Sequence, residues 1–92
     1  MKVVLWFSDK EPTYEEKAKA IKFFGPVTIV THMESSYMAG LDDDLAQRVL
    51  DSLFYKRHAM VTQSPCSDHR AIAMASDRDV PVYRYENGEF CK

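Results

Sequence analysis

Glycine is scarce in this sequence, and its scarcity excludes the best-known phosphate-binding loops. The chain has three glycines, Gly25, Gly40 and Gly88, and they lie far apart. Loops of the type G-x-G-x-x-G or G-x-x-x-x-G-K-[ST] need closely spaced glycines so that the backbone can approach the phosphates. Neither pattern occurs, so a site for a nucleotide would have to be built from other residues.

Cysteine is equally scarce, and no metal-binding motif is present. The two cysteines, Cys66 and Cys91, form neither a disulfide framework nor a C-x-x-C pair. The three histidines match neither H-x-x-x-H nor H-E-x-x-H. The sequence therefore predicts no metal and no cofactor. Because nothing at the N-terminus resembles a signal peptide, it also predicts a cytoplasmic protein with reduced thiols.

Long apolar runs and an excess of basic charge are also missing. No apolar run approaches the roughly 18 residues that span a bilayer, so no membrane association is expected. The net charge is -2, and no cluster of basic residues interrupts the mixture of signs, so nucleic acid is not an expected partner. A length of 92 residues fits a single domain covering residues 1–92.

What the sequence does contain is an alternation of short β-rich runs and helical patterns. The β-rich runs cover residues 2–7, 27–31, 59–61 and 80–85, and three helical patterns separate them. This alternation predicts an α/β fold, namely a three-layer α/β/α sandwich with a small, mostly parallel four-stranded sheet of Rossmann-like or flavodoxin-like type. We expect the strand order 2-1-3-4, because the first run is the most apolar. Asn87-Gly88 predicts a C-terminal β-hairpin whose last residues can form a short edge strand.

The helices have recognisable starts and apolar faces. Thr13 and Glu16 predict a capping box at the start of the first helix. Its apolar face is predicted to contain four residues at helical spacing, Tyr14, Ala18, Ile21 and Phe24. The second helix follows Asp42 and carries a wide apolar stripe. Residues 32–40 show no periodicity and are predicted to form a loop.

Polar residues follow three of the predicted strands. The carboxyl ends of parallel strands share one edge of the sheet, where open α/β folds bind ligands. The candidate ligand-binding residues at this edge are Ser8, Asp9, His32, Ser64, Ser67 and His69. They predict binding of a nucleotide or another phosphorylated small molecule. Polar loops are ordinary at this edge of α/β domains, so the residues alone do not decide the function.

Catalysis at the same edge is a further hypothesis. Asp9, His32 or Cys66 could serve as acid, base or nucleophile in a hydrolase or transferase. Cys66 comes just before a predicted helix start, a position that favours a reactive thiolate. An ordinary loop cysteine is the simpler interpretation.

Aromatic residues suggest a different function. Tyr37 and Met38 lie in the predicted loop, while Tyr83 and Tyr85 share a strand face with Phe90 across the hairpin. Exposed aromatic and methionine side chains are typical of protein contacts. The alternative is that Tyr83, Tyr85 and Phe90 simply cover the final strand.

The favoured hypothesis is a small non-catalytic protein-interaction module. It would bind a partner protein or a second copy of itself through the loop at residues 35–40 or the edge at residues 83–90. The alternative is the nucleotide or phosphorylated small-molecule site at the carboxyl edge.

Overall fold

Five strands and four helices make up the computed structural model, which describes residues 2–63 and 69–91. The elements in chain order are β1 (Lys2–Ser8), α1 (Tyr14–Phe24), β2 (Thr28–Glu34), α2 (Ser35–Ala39), α3 (Asp43–Leu53), β3 (Ala59–Gln63), α4 (His69–Asp77), β4 (Val82–Glu86) and β5 (Glu89–Cys91). No helix within these residues has the length and apolar character needed to cross a membrane.

The strands form one mostly parallel sheet in the order β2-β1-β3-β4-β5. β1 is parallel to β2 and β3, β3 is parallel to β4, and β5 is antiparallel to β4. The predicted α/β class and the order of the first four strands are confirmed. The sheet has five strands because the hairpin adds β5. Asn87 (φ 53°) and Gly88 (φ 79°) both have positive φ, as the type I′ turn of a two-residue hairpin requires.

β1 occupies the middle of the apolar structure because its residues are buried on both faces of the sheet. Val4, Leu5, Trp6 and Phe7 are all fully buried. Successive side chains of a strand point to opposite faces, and these four divide accordingly. Leu5 and Phe7 belong to one hydrophobic cluster, and Val4 and Trp6 belong to another.

The cluster around Leu5 and Phe7 is built mainly from α3 and α4. α3 contributes Ala46 and Leu50, while α4 contributes two alanines and Met74. Small alanines let the helix backbone approach the sheet closely. The predicted apolar stripe is thus confirmed from Ala46 to Phe54, although Leu45 at its start is 46% exposed.

The cluster around Val4 and Trp6 is built from α1 and the last strands, and here one prediction is wrong. The buried residues of α1 are Ala20 and Phe24, whereas Tyr14, Ala18 and Ile21 are exposed. Ala20 and Phe24 are four residues apart and therefore share one side of the helix. Glu16 and Lys17, one turn earlier, complete that side with partly buried side chains, which a search for apolar residues does not find.

The predicted loop at residues 32–40 is also corrected. β2 extends to Glu34 because it stays in register with β1 as far as Ser8, and the short helix α2 follows at once. Met38 of α2 is fully buried in the cluster around Leu5 and Phe7. It packs in the core and is not available as a partner contact.

Arg70 of α4 secures the end of α2. Its guanidinium group donates hydrogen bonds to the carbonyl oxygens of Met38 (2.7 Å) and Leu41 (3.1 Å). Carbonyl groups at the end of a helix have no partner inside the helix. A side chain from a distant helix therefore supplies further hydrogen bonds there and joins the end of α2 to α4.

Candidate functional site

Ser8 and His32 meet at the carboxyl edge of the sheet. Ser8 ends β1, and His32 lies opposite Trp6 in the parallel pairing of β1 and β2. The Nε2 atom of His32 is 3.1 Å from the carbonyl oxygen of Ser8 and 3.3 Å from its Oγ. The sequence correctly predicts that these two residues come together, because the ends of adjacent parallel strands are neighbours.

The direction of these hydrogen bonds argues against a serine nucleophile. A carbonyl oxygen only accepts hydrogen bonds, so His32 Nε2 carries the proton in this contact. The hydroxyl group of Ser8 donates to the carbonyl oxygen of Lys10. An activated serine needs a base that accepts its hydroxyl proton, and Nε2 of His32 is arranged as a donor.

Asp9 also belongs to this edge, where it pairs with Ser35. The hydroxyl group of Ser35 donates to Asp9 Oδ1, which connects the end of β1 to the start of α2. Ser8, Asp9 and His32 thus lie together but make hydrogen bonds within the protein. Ser64, Ser67 and Cys66, together with the side chain of His69, fall outside the described residues.

A hydrogen-bonded chain crosses the same edge from the core to α1. The indole Nε1 of Trp6 donates to Gln63 Oε1 (3.3 Å), and Gln63 Nε2 donates to Glu16 Oε2 (3.0 Å). Glu16 also accepts from the backbone N–H of Thr13 at 2.8 Å, which completes the predicted capping box. Gln63 thereby joins a buried strand to the start of a helix.

A second surface is aromatic and lies where α1 meets the β4–β5 hairpin. We call Phe23, Tyr83 and Phe90 the aromatic surface. The ring of Phe23 stacks on Phe90, with centroids 4.9 Å apart and planes 28° apart, and it meets Tyr83 edge-on at 5.4 Å. These three rings come from a helix and two strands, and the fold alone brings them together.

The aromatic surface rests on buried rings. Phe90 lies opposite Tyr85 in the antiparallel pair, with ring centroids 5.0 Å apart. Phe90 also meets Trp6 at 6.0 Å and Phe24 at 5.7 Å. Offset and edge-to-face contacts of this kind are favourable beyond the area that they bury. The exposed ring of Phe23 therefore packs on partly buried rings that the core holds in place.

An open cleft adjoins the aromatic surface. It has a volume of about 620 Å³ and is lined by six residues, Lys19, Lys22, Phe23, Gly88, Glu89 and Phe90. Phe23, which is 51% exposed, supplies an aromatic wall. Two lysines and a single glutamate give the lining a net positive charge.

The predicted partner-binding residues differ in where they lie and in how exposed they are. Tyr83 and Phe90 belong to the aromatic surface, whereas Tyr85 is buried and supports it from below. Tyr37 is exposed on α2. The sequence interpretation missed Phe23, although one signal was available. Successive residues of a helix point in directions about 100° apart, so a second phenylalanine beside Phe24 indicates that one of the two rings lies toward the edge of the buried side.

Comparison of the chain with protein-family models, with curated proteins and with solved structures found no match.

Proposed function

We propose that the protein is a small non-catalytic protein-interaction module that binds a partner protein through the aromatic surface and its adjoining cleft. The observation that carries the proposal is the state of Phe23. Its ring is half exposed, yet it contacts the rings of Phe24, Tyr83 and Phe90. A ring that is already held in place loses little conformational freedom when a partner covers it. Rigid aromatic side chains of this kind dominate many binding interfaces.

The scaffold proposed for this function is a three-layer α/β/α sandwich of Rossmann-like or flavodoxin-like type. The two hydrophobic clusters support it, because β1 contributes alternate residues to each and different helices complete them. The proposed location is the cytoplasm. The composition supports this, since two cysteines do not form a disulfide framework.

The lining of the cleft indicates the chemistry of the partner. Phe23 and Phe90 offer apolar contact, and Lys19 and Lys22 offer positive charge. Glu89 is the single acidic residue in the lining. We therefore expect the partner to present a peptide segment in which an apolar side chain is accompanied by aspartate or glutamate.

Selection from a peptide library displayed on phage tests the proposal. We expect selected peptides to combine an aromatic or aliphatic residue with acidic neighbours and to bind more weakly as salt is raised, because salt screens exposed charges. Phe23→Ser should weaken binding about tenfold or more, as loss of a central aromatic contact does.

The matched control is Tyr14→Ser. Tyr14 is an exposed aromatic residue of the same helix, but it lies outside the cleft lining, so its replacement should leave peptide binding unchanged. Peptides that bind the Phe23→Ser protein as well as the wild type would contradict the proposal. Selected peptides without acidic residues would contradict the assignment of the partner.

A second candidate function is binding of a nucleotide or another phosphorylated small molecule at the carboxyl edge. The proximity of Ser8, Asp9 and His32 supports it, because open α/β folds bind ligands at this edge. This candidate includes the hypothesis of a hydrolase or transferase activity at the same site. In such an enzyme Ser8 and His32 would not act as a nucleophile and its base.

A thermal-shift screen with nucleotides tests this candidate. A ligand that binds only the folded state raises the free energy of unfolding by about 2.7 kcal/mol when its concentration is a hundredfold above its dissociation constant. A site at the carboxyl edge requires a shift that His32→Leu abolishes and Phe23→Ser keeps. If no nucleotide in the screen raises the melting temperature, nucleotides are excluded as ligands of this site.

A further inference from the structure

β2 forms one edge of the sheet, and its outer side is well suited to pairing. Within the described residues β2 pairs only with β1. It spans seven residues, Thr28–Glu34, and contains no proline, lysine or arginine. Proteins commonly protect edge strands by making them short or by placing lysine or proline in them. The opposite edge strand, β5, is only three residues long, whereas β2 lacks both forms of protection.

The direction of the backbone groups on β2 follows from its pairing with β1. The N–H of Lys2 donates to the carbonyl oxygen of Val27 at 2.9 Å, while Lys2 itself lies opposite Thr28. Because alternate residues of a strand direct their backbone groups to opposite sides, the odd-numbered residues of β2 bond to β1. Val30 and His32 therefore direct their N–H and C=O groups away from β1.

We propose that two copies of the chain associate through antiparallel pairing of their β2 strands about a two-fold axis at Thr31. Thr31 is the middle residue of the strand, so this register overlaps the whole of β2. It sets Val30 opposite His32 of the partner subunit, and both residues direct their backbone groups outward. Residues that face each other in this way exchange two hydrogen bonds in an antiparallel pair. A two-fold axis repeats every contact, which makes the interface closed.

The side chains of β2 suit a second copy in this register. Ile29, which is 45% exposed, lies opposite the partner's Met33, and both are apolar. Val30 lies opposite the partner's His32, so no two like charges face each other between residues 29 and 33. Thr31 faces its own copy across the axis. Favourable cross-strand pairs without opposed like charges stabilise a sheet, and a strand that is self-complementary in this sense favours a second copy as its occupant.

Charge substitutions at Thr31 test the proposal. We expect the mass measured by sedimentation or light scattering to rise from monomer to dimer with protein concentration. Thr31→Lys and Thr31→Glu should each raise the dissociation constant about tenfold or more, because like charges would face each other across the axis. An equimolar mixture of the two variants should recover a heterodimer, since opposite charges then meet.

Two controls separate this result from other effects. Thr31 Oγ1 donates a hydrogen bond to the carbonyl oxygen of Val4 (3.2 Å), and all three substitutions at Thr31 remove it. Thr31→Val adds no charge, so this variant should still dimerise. Phe23→Ser should leave dimerisation unchanged, which distinguishes this interface from the proposed partner surface.

Three outcomes would overturn the proposal. They are a wild-type protein that stays monomeric at every concentration, Thr31 charge variants that are folded by circular dichroism and remain dimeric, and a mixture that forms no heterodimer. Recovery of the heterodimer also shows that the separate variants retained their fold.

Discussion

At the scale of single residues, Gln63 has a structural role that the sequence does not predict, because the residues that follow it are typical of a loop. It accepts from Trp6, whose side chain is fully buried, and donates to Glu16. We expect Gln63→Leu to lower the free energy of unfolding by about 1–3 kcal/mol, the usual cost of leaving a buried polar group unsatisfied. Urea denaturation measures this, and the fluorescence of the single tryptophan reports it directly.

Gln47→Leu is the matched control for this prediction. Gln47 is an exposed glutamine of α3, so its replacement should change the free energy of unfolding by less than about 0.5 kcal/mol. Equal effects of the two substitutions would show that the contact between Trp6 and Gln63 contributes nothing to stability.

Comparison of Thr13 with Gln63 shows which residue roles a sequence reveals. The capping box of Thr13 and Glu16 depends on two residues three positions apart, so local spacing predicts it. Gln63 bonds to residues that are distant along the chain, and only the register of β1 with β3 brings it to Trp6. Ser8 and His32 lie between these cases, because the parallel pairing that joins them was itself predicted.

At the scale of elements, α3 provides a direct comparison between a buried and an exposed leucine. Leu50 is 1% exposed and packs in the cluster with Leu5 and Phe7, whereas Leu45 is nearly half exposed. We expect Leu50→Ala to cost about 2–5 kcal/mol, since it removes buried methyl groups and leaves a cavity.

Leu45→Ala is the control for Leu50→Ala, because it makes the same chemical change in the same helix. It should shift the midpoint of urea denaturation only slightly. A large shift for Leu45→Ala, or a small one for Leu50→Ala, would mean that the packing of α3 differs from that described.

The helices also show why apolar periodicity predicts some buried faces and not others. α3 has aliphatic residues along its buried side, so the pattern identifies that side. α1 buries Ala20 and Phe24 beside partly buried charged residues, while Ile21 and Phe23 remain outside. The sequence does not predict α2, because five residues are too few to show a helical period. The contacts that hold α2, the burial of Met38 and the hydrogen bonds from Arg70, also come from distant parts of the chain.

At the scale of the whole molecule, the arrangement of the sheet predicts how its amides exchange with solvent. The amides of Thr31 and Met33 face β1, whereas those of Val30 and His32 face outward. We therefore expect protection along β2 to alternate between neighbouring residues at low protein concentration. Hydrogen exchange followed by NMR measures this, with the amides of β1 among the slowest because β1 has a neighbouring strand on each side.

The concentration dependence of exchange links this prediction to self-association. The amides of Val30 and His32 should become protected as concentration rises, while those of β5 should not. Uniform protection along β2 in dilute protein would contradict the inferred direction of its backbone groups.

The sequence predicts much of the fold but only part of either candidate site. The order of the parallel strands follows from the apolar character of β1, and the turn at Asn87 and Gly88 follows from its residue types. The aromatic surface could be predicted in part, since Tyr83 and Phe90 are close through the hairpin. The position of Phe23 beside them depends on how α1 lies on the sheet, which local patterns do not specify.

The central place of β1 also affects the order in which the chain can fold during synthesis. β1 leaves the ribosome before the other four strands and can pair with β2 once α1 and β2 have both emerged. Its other side must wait for β3, which ends at Gln63. A nascent chain that lacks β3 would therefore carry an apolar strand open on one side, a vulnerable species for which chaperone protection would be most valuable.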